Sequence, residues 1–316
     1  MGPAEPSPPG PASSEPTISD LAADLLADLA AGGYSREAWK AFFGRAYRHA
    51  VDANQRHPER TRSFFRWAGF GAAIGVAFLG LPVAVAEGAG AQDWSAAPAI
   101  GWAIWYAVVA YWTWLHLGLA RADDDAPFQR LHWPNGLSFL RLSLAPLVIA
   151  ALAGGQTHGL TAKLCAGLIV ALALSDLLDG QIARATARCS RLGRALDPLA
   201  DVAFLAALSL GLQLGGILPT AVLVLVLLRY PGTFVVTLVL VFVRGPMAIQ
   251  PTIVGKATSA VVSTGMTLAA LAVLLRPAWL APPWLRWGTG LLAVPLALNL
   301  VYLIGRAYRW RRHPAG

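Results

Sequence analysis

The sequence predicts an all-α, polytopic membrane helical bundle, and three observations carry that prediction. Of its 316 residues, 56% are hydrophobic and 13% charged, well below the roughly 25% charged residues of soluble domains. The apolar residues gather into eight runs, each long enough to cross about 30 Å of hydrocarbon as a helix. The charges between the runs fall on alternate loops, the asymmetry that orients membrane helices.

The net charge of +8 would suit nucleic acid, but it equally suits loops facing an anionic leaflet. The hydropathy decides for membrane lipids, and no nucleic-acid partner is expected. Cys165 lies in an apolar run and Cys189 in a basic loop, so neither a disulfide framework nor a thiolate zinc site is expected. No basic stretch leads directly into a short apolar core at the N-terminus, so no cleaved signal peptide is expected.

Residues 1–16 are rich in Pro, Ser and Gly and read as a disordered tail. Residues 17–65 read as amphipathic cytoplasmic helices. Asp20, Asp24 and Asp28 recur opposite Leu21, Leu25 and Leu29 until Gly32-Gly33, and a second stretch, about 35–57, sets Trp39, Phe42, Phe43 and Tyr47 against Lys40, Arg45 and Arg48. A hairpin packed on itself and a membrane-surface or regulatory element both fit this pattern.

Spans are expected at 66–86, 96–120, 137–154, 160–178, 198–216, 217–243, 257–275 and 286–305. Residues 34–66 hold eight basic residues against three acids. Arg184, Arg188, Arg191 and Arg194 lie in the 179–197 loop, Arg244 and Lys256 in 244–256, and Arg306, Arg309, Arg311 and Arg312 in the basic tail 306–316. The alternate loops are nearly uncharged, which places both termini in the cytoplasm.

The acids are the most informative residues. Thirteen of the 17 precede residue 126, and the other four, Asp176, Asp179, Asp197 and Asp201, share one 26-residue window. A carboxylate near the bilayer centre costs about 2.5–3.5 kcal/mol on insertion scales, so four together indicate chemistry. Asp176 and Asp179 share one helix face, as do Asp197 and Asp201. Two such pairs make an oxygen cage suited to Mg²⁺ or Mn²⁺, and two metals could clamp a phosphoryl displacement. Gly180, Ala183 and Gly193 leave room for a ligand or a neighbouring helix. Arg184, on the next turn, could fork onto a pyrophosphate.

This window fits every fixed position of D-x2-D-G-x2-A-R-x8-G-x3-D-x3-D, and the chain thereby resembles the CDP-alcohol phosphotransferases (CDP-alcohol phosphatidyltransferases). Pro134-Asn135-Gly136-Leu137-Ser138, with Arg141 and Pro146, resembles the start of that family's first core helix. Gly255-Lys256-Ala257-Thr258 resembles a segment of its phosphatidylglycerophosphate synthase and CMP-forming cardiolipin synthase branches. The resemblance covers about 130–305, so 126–305 is expected to be a six-helix core, preceded over 66–125 by two extra transmembrane helices and a linker.

The resemblance implies a bacterial membrane enzyme of phospholipid biosynthesis that moves a phosphatidyl group from a CDP-linked lipid to an alcohol and releases CMP. It implies Asp176, Asp179 and Asp197 as ligands of two divalent ions, Asp201 as general base and possible further ligand, and Asp176, Asp179, Gly180, Ala183, Arg184 and Gly193 beside the CDP group. CDP-diacylglycerol is the expected donor. Glycerol 3-phosphate or a phosphatidylglycerol-like lipid is the expected acceptor, with an inositol phosphate or another polar alcohol as the alternative. A homodimer is also implied.

Other readings stand beside these. Arg229, Arg244 and Lys256 are either acceptor-phosphate ligands or interfacial charges; Asn135 either touches the nucleotide or caps a helix. Arg188, Arg191 and Arg194 read as headgroup or topology charges, His116, His132 and His158 as packing residues, and Asp123-Asp124-Asp125 as a solvated linker. The rival classes are a cation-coupled membrane transporter, which would place its site at the midplane between repeated halves, and a silent scaffold.

Overall fold

In the computed structural model the described residues are 18–86, 97–121, 128–153, 159–185, 190–244, 252–275 and 282–312; at several helix ends, 176–185 among them, only the course of the backbone is described. Every regular element among them is helical. The chain forms two compact units, Met1–His49 and Ala50–Gly316.

α1 (Ile18–Ala31) turns back into α2 (Arg36–Arg56), whose residues up to His49 belong to the first unit. Ser35 Oγ accepts from Ala38 N at 3.2 Å and caps α2. Leu25 and Leu29 are buried and line a small pocket with Ala38, Ala41 and Phe42, while Asp28 pairs with Arg45 above them. The two amphipathic stretches are thus a hairpin packed on itself.

The second unit continues with α3 (Pro58–Ala86), α4 (Ala97–Leu115), a 3₁₀ turn (Leu117–Leu119), α5 (Trp133–Ala153), α6 (Gly159–Ala185) and α7 (Arg191–Leu214). Then come α8 (Thr220–Leu227), a π-helical turn (Leu228–Gly232), α9 (Thr233–Arg244), α10 (Ile253–Leu275), α11 (Pro282–Leu291) and α12 (Ala293–Arg312). Six stretches among the described residues are long and apolar enough to cross a membrane: 58–80, 133–153, 191–214, 220–242, 253–275 and 283–305. The protein is a multi-pass membrane protein. Two of the eight expected spans are not among these six. The one on α4 is rich in Trp and Tyr, and α6 has a shorter apolar run, Leu160–Ser175, before its polar end.

The bundle is organised around α5. Its apolar window is 72% buried, against 17% for 220–242 and 283–305, so α5 is the axis and those spans face outward. Val235, Val236 and Val239 on α9 and Leu298, Val301 and Ile304 on α12 are exposed, as side chains turned towards lipid are. The helices of 66–125 reach the axis through aromatic contacts. Trp105 Nε1 donates to Leu142 O at 2.9 Å, and Phe64 and Phe139 meet edge to face at 5.4 Å. A Cβ at Gly75 would sit 1.9 Å from the Trp102 ring, so α3 and α4 approach closely only because that residue has none.

Several helix limits differ from expectation: α6 runs on to Ala185 and α7 already begins at Arg191, so most of the expected 179–197 loop is helical, and at three further limits prolines account for the difference. α3 begins at Pro58 rather than at 66, since proline suits a first helical position. The stretch 217–243 is interrupted at 228–232, where Pro231 has no N–H to donate and its ring displaces the usual carbonyl. The last span breaks at Leu292 between α11 and α12, three residues before Pro295.

Candidate active site

The first turn of α7 is built onto the first turn of α5. Ser190 caps α7 by accepting from Gly193 N at 2.9 Å, and the same hydroxyl donates to Asn135 Oδ1 at 2.9 Å. A Cβ at Gly193 would lie 2.7 Å from that oxygen, too close to be accommodated in place. Gly193 therefore makes room for the neighbouring helix, and Asn135, 2% exposed, supports the cap of α7 from across the interface. This junction sets the height of the aspartates that follow along α7.

Both described aspartates of the window meet α5. Ser138 Oγ donates to Asp197 Oδ1 at 2.5 Å. Arg141 Nη2 donates to Asp201 Oδ1 at 2.8 Å, with side-chain exposures of 1% for Arg141 and 55% for Asp201. A pair spaced i, i+3 on α5 thus serves a pair spaced i, i+4 on α7, each set on one helix face. The sequence marked Ser138 and Arg141 only as positions in a motif and missed their partners. The signal was their matching helical periodicity.

Asp176, Asp179, Gly180, Ala183 and Arg184 all lie on the backbone of α6, and α6 runs against α5. The two halves of the window are therefore carried by consecutive helices that both pack on α5. The side chains of 176–185 lie outside the description, and so do Arg188, Cys189, His158, Asp123-Asp124-Asp125 and the Arg244 side chain.

Among the acceptor candidates, Arg229 occupies the π-helical turn, which packs against α7, α8 and α9. Its Nε donates to Asn299 Oδ1 on α12, and a Cβ at Gly255 would lie 3.3 Å from its Nη2. The guanidinium is thus held between α10 and α12. Lys256 follows Gly255 in the first turn of α10 and is exposed; Thr252 caps that turn by accepting from Gly255 N at 3.0 Å. Arg229 and the Gly255-Lys256 segment thus meet although 26 residues separate Arg229 from Gly255.

Two of the scattered histidines pack. His116 stacks on Trp112 with ring centroids 4.2 Å apart, and His132 meets the Phe128 ring at 4.6 Å. Among the described residues no three His, Cys, Asp or Glu side chains converge. Asp197 and Asp201 present carboxylates one turn apart on α7, a donor set that fits a hard divalent cation.

The sequence profile of the CDP-alcohol phosphatidyltransferases matches residues 131–299. A Mycobacterium tuberculosis protein provisionally named cardiolipin synthase is 31% identical over 198 residues, covering 58% of this chain and 92% of the relative. A second M. tuberculosis protein, provisionally named phosphatidylglycerophosphate synthase, is 35% identical over 108 residues, 34% of this chain and 52% of the relative. The cardiolipin synthase (CMP-forming) of Streptomyces coelicolor is 35% identical over 127 residues, 40% of this chain and 59% of that protein.

Proposed function

The chain belongs to the CDP-alcohol phosphatidyltransferase family, and from that premise we propose the assignment of its donor, acceptor and residues. The protein is a phosphatidyltransferase of phospholipid synthesis that transfers from a CDP-linked lipid. In our reading the donor is CDP-diacylglycerol and the acceptor is glycerol 3-phosphate or a phosphatidylglycerol-like lipid. The placement of Asp197 and Asp201 against Ser138 and Arg141, within the eight-position signature, is the observation that supports this reading most.

The acceptor hydroxyl attacks the phosphatidyl phosphorus. A new P–O bond forms, the bond from that phosphorus to the CMP oxygen breaks, and CMP departs. Asp201, exposed towards the site, takes the hydroxyl proton, while Arg141 behind it fixes the direction of its carboxylate. Ser138 fixes Asp197 in the same way. Asp176, Asp179, Asp197 and Asp201 would hold two Mg²⁺ or Mn²⁺ ions. Bound there, such ions neutralise charge on the pyrophosphate and ease the departure of CMP. Gly180, Ala183 and Arg184 line the CDP group, with Gly193 and Asn135 at its edge. Arg229, Arg244 and Lys256 hold the acceptor phosphate. The core is 126–305, working as a homodimer with its site and both chain termini on the cytoplasmic side of a bacterial membrane.

The test is incubation of the purified protein with radiolabelled CDP-diacylglycerol and a panel of alcohols, followed by identification of the lipid formed. Phosphatidylglycerophosphate or cardiolipin is expected, with CMP, and turnover should vanish in chelator and return with Mg²⁺. Product from inositol phosphate alone would replace the acceptor assignment. Turnover that survives complete metal stripping would remove the metals from it.

A further inference from the structure

A second cationic cluster lies away from the aspartates, where the start of α3 meets the turn after α4. Arg60 is completely buried, at 0% exposure. Its Nη2 donates to Ala53 O at 3.1 Å, whereas its Nε and Nη1 have no hydrogen-bond partner among the described residues. Arg121 follows the 3₁₀ turn, where a Cβ at Gly118 would lie 3.7 Å from the Cβ of Ala53, the residue whose carbonyl Arg60 holds. Its own buried Nε likewise has no hydrogen-bond partner there.

The backbone around this pair is tied together. Asn54 Nδ2 donates to Trp114 O at 2.8 Å, and Ser63 Oγ donates to Leu131 O at 3.4 Å. Arg121 O accepts from Arg191 N, the first residue of α7, at 3.2 Å. The arginine pair therefore stands where the helices outside the family core join the helix that carries Asp197 and Asp201.

A guanidinium stays charged at any accessible pH, so two of them cannot relieve their repulsion by losing a proton. Removing Arg60 and the Nε of the half-buried Arg121 from water without a counter-charge is strongly unfavourable. A buried water would accept hydrogen bonds but supply no charge. A tetrahedral oxyanion supplies both, with oxygens directed at donors on more than one side.

We propose that Arg60 and Arg121 bind a phosphate group, and that this group clamps the start of α3 and the turn after α4 to the first turn of α7. Inorganic phosphate and the headgroup of an anionic lipid carry the same chemistry. The site stands apart from the transfer reaction, and it can fail or hold without affecting the reading of the aspartates.

The test is thermal unfolding of the full-length protein, wild type against Arg60→Met and Arg121→Gln, with CMP release measured in parallel. In detergent, inorganic phosphate is titrated against chloride at constant ionic strength. A second arm compares nanodiscs of phosphatidylcholine alone with nanodiscs containing phosphatidylglycerol. The wild-type Tm should rise with phosphate or with phosphatidylglycerol, whichever is the source. In each variant the phosphate response should shift to about tenfold higher concentration, or the lipid response should disappear. Equal responses in wild type and variants would overturn the proposal. Arg121→Gln keeps the test open if Arg60→Met fails to fold. A triple replacement of Asp123, Asp124 and Asp125 by Asn decides the remaining case: if it lowers Tm as much as Arg121→Gln and the two effects do not add, the counter-charge comes from the chain itself and the proposal falls.

Discussion

Arg141 and Asp201 form an ion pair that is sealed on one side and open on the other. The guanidinium is 1% exposed and the carboxylate 55%, joined at 2.8 Å across the α5–α7 interface. The buried partner holds the accessible one in place. The carboxylate is thereby oriented from behind, as the proposed role of Asp201 as general base requires.

If that orientation matters, Arg141→Gln should lower kcat by about 10–100-fold, with a smaller change in the KM for the CDP-lipid. Arg141→Lys should recover part of the loss, because it keeps the charge and loses the planar fork. A steady-state comparison of the three proteins in the same lipid checks this; a donor KM raised in proportion to the loss of kcat would make Arg141 a binding residue.

Asp201→Asn should separate base from ligand. Asparagine keeps an oxygen for Arg141 but takes up no proton, so turnover should fall by about 10²–10⁴-fold while metal-dependent binding of CDP-diacylglycerol persists. Asp176→Asn and Asp179→Asn should weaken that binding itself. Binding measured for all three variants decides the assignment, since equal losses of affinity would make Asp201 primarily a ligand.

Gly193→Ala puts a methyl group 2.7 Å from Asn135 Oδ1 and 3.4 Å from Ser190 Oγ. The overpacking should cost about 1–3 kcal/mol and loosen the capped start of α7, lowering Tm and turnover together. Gly167→Ala, on α6 with nothing within 4 Å of the added atom, is the control and should hold or slightly raise Tm, because alanine is the better helix former.

Arg229→Met should raise the KM for a phosphate-bearing acceptor by about tenfold or more, the size expected for one charge-assisted hydrogen bond, with little change in donor KM. Asn299→Ala removes the partner that holds Arg229 and should shift acceptor KM in the same direction, by less. Kinetics at saturating donor measure both. Equal effects on donor and acceptor would return Arg229 to a structural role.

Much of this protein was legible in its sequence because the governing signals are local. A helix in lipid must satisfy its own backbone hydrogen bonds, so each apolar run announces a span without reference to its neighbours. The aspartate window is equally local: it lies on two consecutive helices, and helical periodicity fixes which carboxylates share a face. The amphipathic stretches before residue 58 show their hairpin in the same way, by placing leucines and aromatics on one side. Arg141 behind Asp201, Arg229 against Gly255 and Asn299, and Asn54 on the carbonyl of Trp114 could not be read this way. Each is a meeting across helices far apart in sequence, set by the depth at which α7 docks on α5, by the π-helical turn at Pro231 and by the path of the chain after α4. Hydropathy and spacing determine which segments become helices and which faces they offer; register and rotation between helices arise from side-chain packing, and only the folded bundle decides them.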